Sequence, residues 1–160
     1  MKRELDCAEI ILKFHDEKVA LTKAQQDKLR NARKANQDRL TENVKKTILR
    51  FQKQGSYAMK TMVQEPDNAY DIDDGVVFEA KELTGPQGGE LSSLDARTMI
   101  CDALKDKKFN RQPKVEPNCV RIYYNEGYHV DIPVYRDTKS KSEIASSEWK
   151  ESDPDGVNKW

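Results

Sequence analysis

Along the first third of the chain, apolar residues return at helical intervals. Leu29, Ala32, Leu40, Val44, Ile48 and Phe51 are separated by steps of three or four or by their sums. This spacing, opened by the capping-box signature TKAQ (Thr22 to Gln25), predicts one long amphipathic helix ending near Gln52. A shorter helical segment precedes it within residues 1–21, capped by Asp6 with Glu9 and carrying Ile10, Ile11 and Phe14 for burial.

After QGS the pattern changes to strands. YDIDDGVVFEA reads as one strand, and CVRIYYNEGYHVDIPVYR as two strands around an Asn-Glu-Gly turn, with Val130, Ile132 and Val134 alternating against His129, Asp131 and Tyr135. Between them GPQGG is a loop, and SLDARTMICDALKDK is a capped helix with Leu94, Ile100, Ala103 and Leu104 available to a core. Helix, strand, helix and hairpin together give an α+β (mixed α/β) fold with a small twisted sheet behind a long N-terminal helix. Residues 137–160 form a polar, weakly patterned tail, until Ser152 reads as an N-cap with Pro154 in the first turn of a new helix. A helix starting there leads us to expect the first half of a longer protein.

Composition narrows the classes. The 160 residues suit one domain, and charged side chains, 35% of the total, cancel to a net charge of zero. That balance argues against general attraction to nucleic acid or an anionic membrane, so any anion site is local. Cys7, Cys101 and Cys119 are odd in number, widely spaced and lack CxxC, which argues against a disulfide framework or a zinc site and fits a reducing cytoplasm. Neither a signal peptide nor an apolar run long enough to span a bilayer is present.

Against this background the aspartates of YDIDDGVVF need an explanation. On a strand, residues i and i+2 share a face about 7 Å apart, so Asp71 and Asp73 project together while Ile72 points inward. Asp131 has the same placement between inward Val130 and Ile132. If the strands are neighbours, three carboxylates converge, each pair repelling by roughly 3 kcal/mol at 5 Å and an effective dielectric near 20. Oxygen-only ligation of this kind suits two Mg²⁺ or Mn²⁺ ions clamping a phosphate. Read alone, DIDD fits an acidic strand end facing water equally well. A calcium loop running from Asp71 to Glu82 is rejected, because Val76 stands where the turn glycine belongs and the flanks are strands.

Gly55 and Ser56 add a second element. A Gly-Ser turn lets backbone N–H groups and a hydroxyl approach phosphate oxygens, although it is also a common turn. Taken with DID and VDIPV, it supplies a phosphate cradle and three ligands in the order a nucleotidyl-transfer site requires.

QGSYAMKTMV, YDIDDGVVF, YHVDIPVYR and EWKESDPDGVNKW together resemble the bacterial cGAS/DncV-like nucleotidyltransferases (CD-NTases) of the DNA polymerase beta superfamily, over about residues 22 to 160. The resemblance implies cyclic di- or oligonucleotide synthesis from NTPs such as ATP or GTP, as the signal generator of an anti-phage system. It also implies a downstream effector and a regulatory protein partner. Gly55 and Ser56 would hold the triphosphate, and Asp71, Asp73 and Asp131 the two Mg²⁺ or Mn²⁺ ions. Asp74 has the wrong parity for the triad and is read as a rim or structural residue. Family members carry a second helical lobe, and without it the chain is expected to bind NTPs poorly and cyclise little. The alternatives are a stand-alone antitoxin-type transferase acting on protein or RNA, and a non-catalytic binding domain of the same fold. Of the remaining residues, His129 shares the face of Asp131 and is read first as an exposed strand histidine and second as a neighbour of the site, and His15 shows no partner in the sequence. Tyr57 is read as packing or nucleotide contact, and half of Tyr123, Tyr124, Tyr128 and Tyr135 as core.

Overall fold

The computed structural model describes residues 7–64, 70–153 and 156. It is a mixed α/β fold built on one eight-stranded twisted sheet with few helices. Helix α1 (Cys7–Phe14) continues through a π-helical turn (His15–Val19) to α2 (Lys23–Asn43). Thr22 caps α2 with both halves of the predicted capping box in place. Strand β1 (Ile48–Gln54) leads directly into the short α3 (Gly55–Met59), and β2 (Asp71–Glu79) follows. After α4 (Ser93–Leu104) come β3 (Lys114–Val115), β4 (Val120–Tyr123), β5 (His129–Ile132), β6 (Val134–Asp137), β7 (Ser142–Ala145) and β8 (Trp149–Glu151).

β2 is the organising strand. β1 runs antiparallel along one side of it, pairing Phe51 with Val76 and Gln54 with Asp73. β5 and β6 run parallel along the other side, β5 against the first residues of β2 and β6 against the last. Pro133 separates them. Lacking an N–H, it interrupts the ladder, yet its carbonyl still accepts from Val76 N–H at 2.9 Å. β4 flanks β5 and β7 flanks β6, so one side of β2 carries two successive antiparallel arrays.

One face of the sheet is covered by α2 and α4. Leu29, Ala32 and Leu40 of α2, and Ala96, Ile100, Cys101 and Leu104 of α4, share a core with Ile72, Val76, Phe78, Ile122, Val130 and Ile132. Asp74 belongs to this buried face. It accepts from Arg33 Nε at 2.7 Å and from Gln37 Nε2 at 2.8 Å, which ties α2 to β2. It is a structural residue, not a rim residue. Ser92 caps α4 as its sequence predicts.

Several expectations are corrected. The long helix ends at Asn43, and Ile48 and Phe51 lie in β1. Their three- and four-residue spacing imitates a helical face, but Phe51 sits opposite Val76 and the sheet decides the conformation. Gly55 and Ser56 therefore follow a strand. Leu94 is 55% exposed, because α4 buries Ser93, Ala96, Arg97, Ile100, Cys101 and Leu104 instead. Ile10, Ile11 and Phe14 are all exposed, and α1 buries none of its residues. Within residues 137–160, which read as polar and unpatterned, β7 and β8 complete the sheet. The expected cap at Asp6 lies outside the described residues, as does Pro154 in the helical turn expected after Ser152; Ser152 itself is described, its N–H donating to Ser142 O at 3.0 Å. Among the described residues no helix is long and apolar enough to cross a membrane.

Candidate active site

The register of three strands assembles the site. β2 and β5 pair Asp71 with His129 and Asp73 with Asp131. β5 and β4 pair Asp131 with Arg121 and His129 with Tyr123. Because side chains alternate across a strand, these six residues share one face, the face opposite Asp74 and the helices. The structure thus brings Asp71, Asp73 and Asp131 together. Along β2 the alternation is visible as half-buried Asp71 and Asp73 against buried Ile72 and Asp74.

Gly55 reaches the same place through the other neighbour of β2. The last residue of β1, Gln54, pairs with Asp73, and the chain turns at Gly55 with φ +61°. A β-carbon at Gly55 would force the Asp73 carboxylate to shift, and the left-handed backbone there itself favours glycine. Ser56 follows, half-buried, and its carbonyl accepts from Thr61 N–H at 2.9 Å as the turn of α3 closes.

Electrostatics at the site are unbalanced. Burial pushes the Asp73 carboxyl up to about 6, and the neighbouring charges of Asp71 and Asp131 add to the shift. Arg121 partly opposes it. Arg121 donates from Nε and Nη2 to the two oxygens of Asp131 at 2.8 and 2.7 Å, a bidentate pair. The Cys119 thiol beside Asp131 is pushed up to about 12, chiefly by burial and then by the Asp131 charge. An open cleft of about 390 Å³ lies over this face, lined by Gln54, Asp73, Cys119, Arg121, Asp131 and Tyr135 among others. Gln54 Oε1 accepts from the Tyr135 hydroxyl at 2.9 Å.

Sequence reasoning missed Arg121, Gln54 and Cys119, and misjudged His129. Arg121 alternates with buried Val120 and Ile122, a pattern that placed it on the Asp131 face once β4 and β5 were paired. Gln54 had one signal, its position just before Gly55. His129 is not an exposed strand histidine: its side chain is only 20% exposed and its Nε2 is buried, 3.6 Å from Asp71 Oδ2. One ligand atom from each of Asp71, His129 and Asp131 lies within 4.8 Å of the other two. Of the hairpin tyrosines, Tyr128 and Tyr135 are core, as the reading of half predicts.

The sequence model of the cyclic GMP-AMP synthase DncV-like nucleotidyltransferase domain matches residues 49–135, more than half of the chain, a span that includes Gly55, Ser56, Asp71, Asp73 and Asp131. The chain belongs to this family. It is a CD-NTase of the polymerase-beta-like nucleotidyltransferase type, and its fold agrees with solved members. Against the Bradyrhizobium diazoefficiens CD-NTase CdnG in complex with GTP, the TM-score is 0.72 at 19% identity, covering 89% of this chain and 43% of that one. Against Vibrio cholerae DncV in its 3'-deoxy ATP bound form, it is 0.68 at 18% identity, covering 89% and 56%. Against CdnC of Escherichia coli MS115-1 in its complex with HORMA-deltaN, it is 0.64 at 20% identity, covering 94% and 48%. The CD-NTase chain described here thus spans about half the length of these relatives. EWKESDPDGVNKW lies beyond the matched segment of the family model.

Proposed function

We propose that this domain is the catalytic lobe of a cyclic di- or oligonucleotide synthase, joining NTPs with release of pyrophosphate and acting as a signal generator in anti-phage defence. The observation that carries the reading is the in-register pairing of Asp73 with Asp131, with Gly55 packed against Asp73 from the opposite strand. It supports a phosphate cradle and an anionic face built side by side.

The residues fit divalent cations. Three carboxylates share a face, Asp73 resists ionisation there, and the buried Nε2 of His129 has no hydrogen-bond partner among the described residues. Asp71, Asp73 and Asp131 would hold two Mg²⁺ or Mn²⁺ ions, which when bound neutralise phosphate charge and lower the pKa of an attacking hydroxyl. The protein's own part is positioning. Gly55 and Ser56 present N–H groups and a hydroxyl to the triphosphate, and the cleft holds the acceptor ribose against the α-phosphorus. As the hydroxyl oxygen bonds to that phosphorus, its proton passes to a site carboxylate such as Asp131 and the bond to the leaving pyrophosphate breaks. The GTP in the CdnG structure and the 3'-deoxy ATP in the DncV structure support NTPs as the ligand class. The HORMA protein bound to CdnC supports a regulatory partner, and a separate effector would read the product.

The test is incubation with labelled NTPs and Mg²⁺ or Mn²⁺, of this chain and of a form extended by a helical lobe. A phosphatase-resistant product is expected from the extended form, and little from the chain alone. Asp71→Ala with Asp73→Ala should abolish the product with an unchanged circular dichroism spectrum. Synthesis surviving in that double variant refutes the assignment.

A further inference from the structure

We propose that His129 is a third protein ligand, beside Asp71 and Asp131, to one of the divalent cations, and that this nitrogen biases the site towards first-row transition ions over Mg²⁺. The inference rests on the reading that this acidic face binds cations. It adds a residue and a selectivity to it.

The sheet fixes the geometry. His129 and Asp71 are register partners on parallel strands, and Asp131 lies two residues on along the same face as His129. The candidate ligand atoms of all three fall within 4.8 Å of one another. An ion with bonds of about 2.1 Å has neighbouring ligands about 3 Å apart and opposite ones about 4.2 Å apart, so small side-chain rotations close the set.

An independent observation concerns the imidazole. Its Nε2 is buried and without a hydrogen-bond partner among the described residues, and Asp71 Oδ2 at 3.6 Å lies outside hydrogen-bonding range. Leaving a buried nitrogen unpaired costs free energy, and a shared ion would satisfy it and Asp71 together. Asp131 can join although Arg121 donates to both of its oxygens, because each carboxylate oxygen has a second lone pair. Mg²⁺ prefers an all-oxygen shell, whereas imidazole suits transition ions.

The experiment uses the chain as it is, without nucleotide. Mn²⁺ binding is followed by electron paramagnetic resonance, with Mg²⁺ as competitor, and electron spin-echo modulation detects nitrogen coupled to the bound Mn²⁺. The wild type should show nitrogen coupling and bind Mn²⁺ more tightly than Mg²⁺. The chain has only two histidines, so His15→Ala should leave the coupling intact and His129→Ala should remove it. His129→Ala should also weaken Mn²⁺ by about tenfold or more while changing Mg²⁺ little. Bound Mn²⁺ without nitrogen coupling in the wild type overturns the inference, whatever the folding of the variants. So does equal weakening of both ions. If Mn²⁺ is lost in Asp71→Asn and Asp131→Asn but not in His129→Ala, the histidine fails and the acidic site stands. If Mn²⁺ does not bind, or binds equally in those aspartate variants, the proposed cation site fails as well.

Discussion

Asp73 and Asp74 are adjacent on one strand and face opposite ways, and their surroundings could hardly differ more. Asp74 is 2% exposed and receives two hydrogen bonds, one from the Arg33 guanidinium and one from Gln37. Asp73 faces the cleft with two further carboxylates, and Arg121 offsets them in part. One carboxylate is spent on holding a helix to a sheet, and the other is left in need of a positive partner. The pair shows how a run of aspartates that looks uniform is divided by the two-residue period of a strand.

The comparison breaks most visibly at Asp74. Asp74→Ala leaves Arg33 facing a buried gap, and a loss of about 3 kcal/mol is expected in urea unfolding, since removing one partner of a buried pair strands the other. Asp74→Asn, which keeps an acceptor for Gln37, should lose less. An Asp74→Ala protein as stable as wild type would show that the helix-facing carboxylate does not hold the fold.

Asp73 should behave in the opposite sense. Its folded-state carboxyl is raised to about 6, so between roughly pH 4 and 6 the folded chain keeps a proton that the unfolded chain has released. Stability in chelator therefore falls as pH rises through that window and levels off above it. Asp74, also raised by burial, contributes in the same direction. Asp73→Asn should raise the Tm at pH 7.5 by several degrees, flatten part of the pH dependence and still abolish nucleotide joining. Mn²⁺ should raise the wild-type Tm more at pH 7.5 than at pH 5. An unchanged melting profile in Asp73→Asn would mean that the charges on the cleft face are already balanced.

The smallest effect is one of rate. Cys119, buried beside Asp131 with its thiol pushed up to about 12, should resist iodoacetamide at pH 8, while exposed Cys7 reacts readily. Mass spectrometry of the labelled chain reads this directly, and fast labelling of Cys119 would contradict its placement.

The fold and the site were legible to different depths. Asp71 and Asp73 could be placed on one face because strand alternation is strict and Ile72 points inward between them, and Asp131 could be placed likewise between inward Val130 and Ile132. Much of their company could not, since Arg121 and Gln54 come into place only through cross-strand register, and the pairing of His129 with Asp71 likewise, although its sharing a face with Asp131 was legible. β1 was hidden by a helical coincidence in spacing. β7 was hidden for another reason: its inward position is taken by Glu143, buried because Arg136 Nε donates to it at 2.7 Å and Lys141 lies 3.1 Å away. A salt-bridged glutamate in a core position inverts the hydropathy pattern that marks a strand.

The contact between Gly55 and the Asp73 carboxylate joins two jobs in a single moving part. If the proposed site takes a triphosphate at Gly55 and a cation at Asp73, a backbone shift at one would be felt at the other, and by linkage any change in affinity would be reciprocal. Ordered assembly of nucleotide and cation would then be a property of one missing side chain.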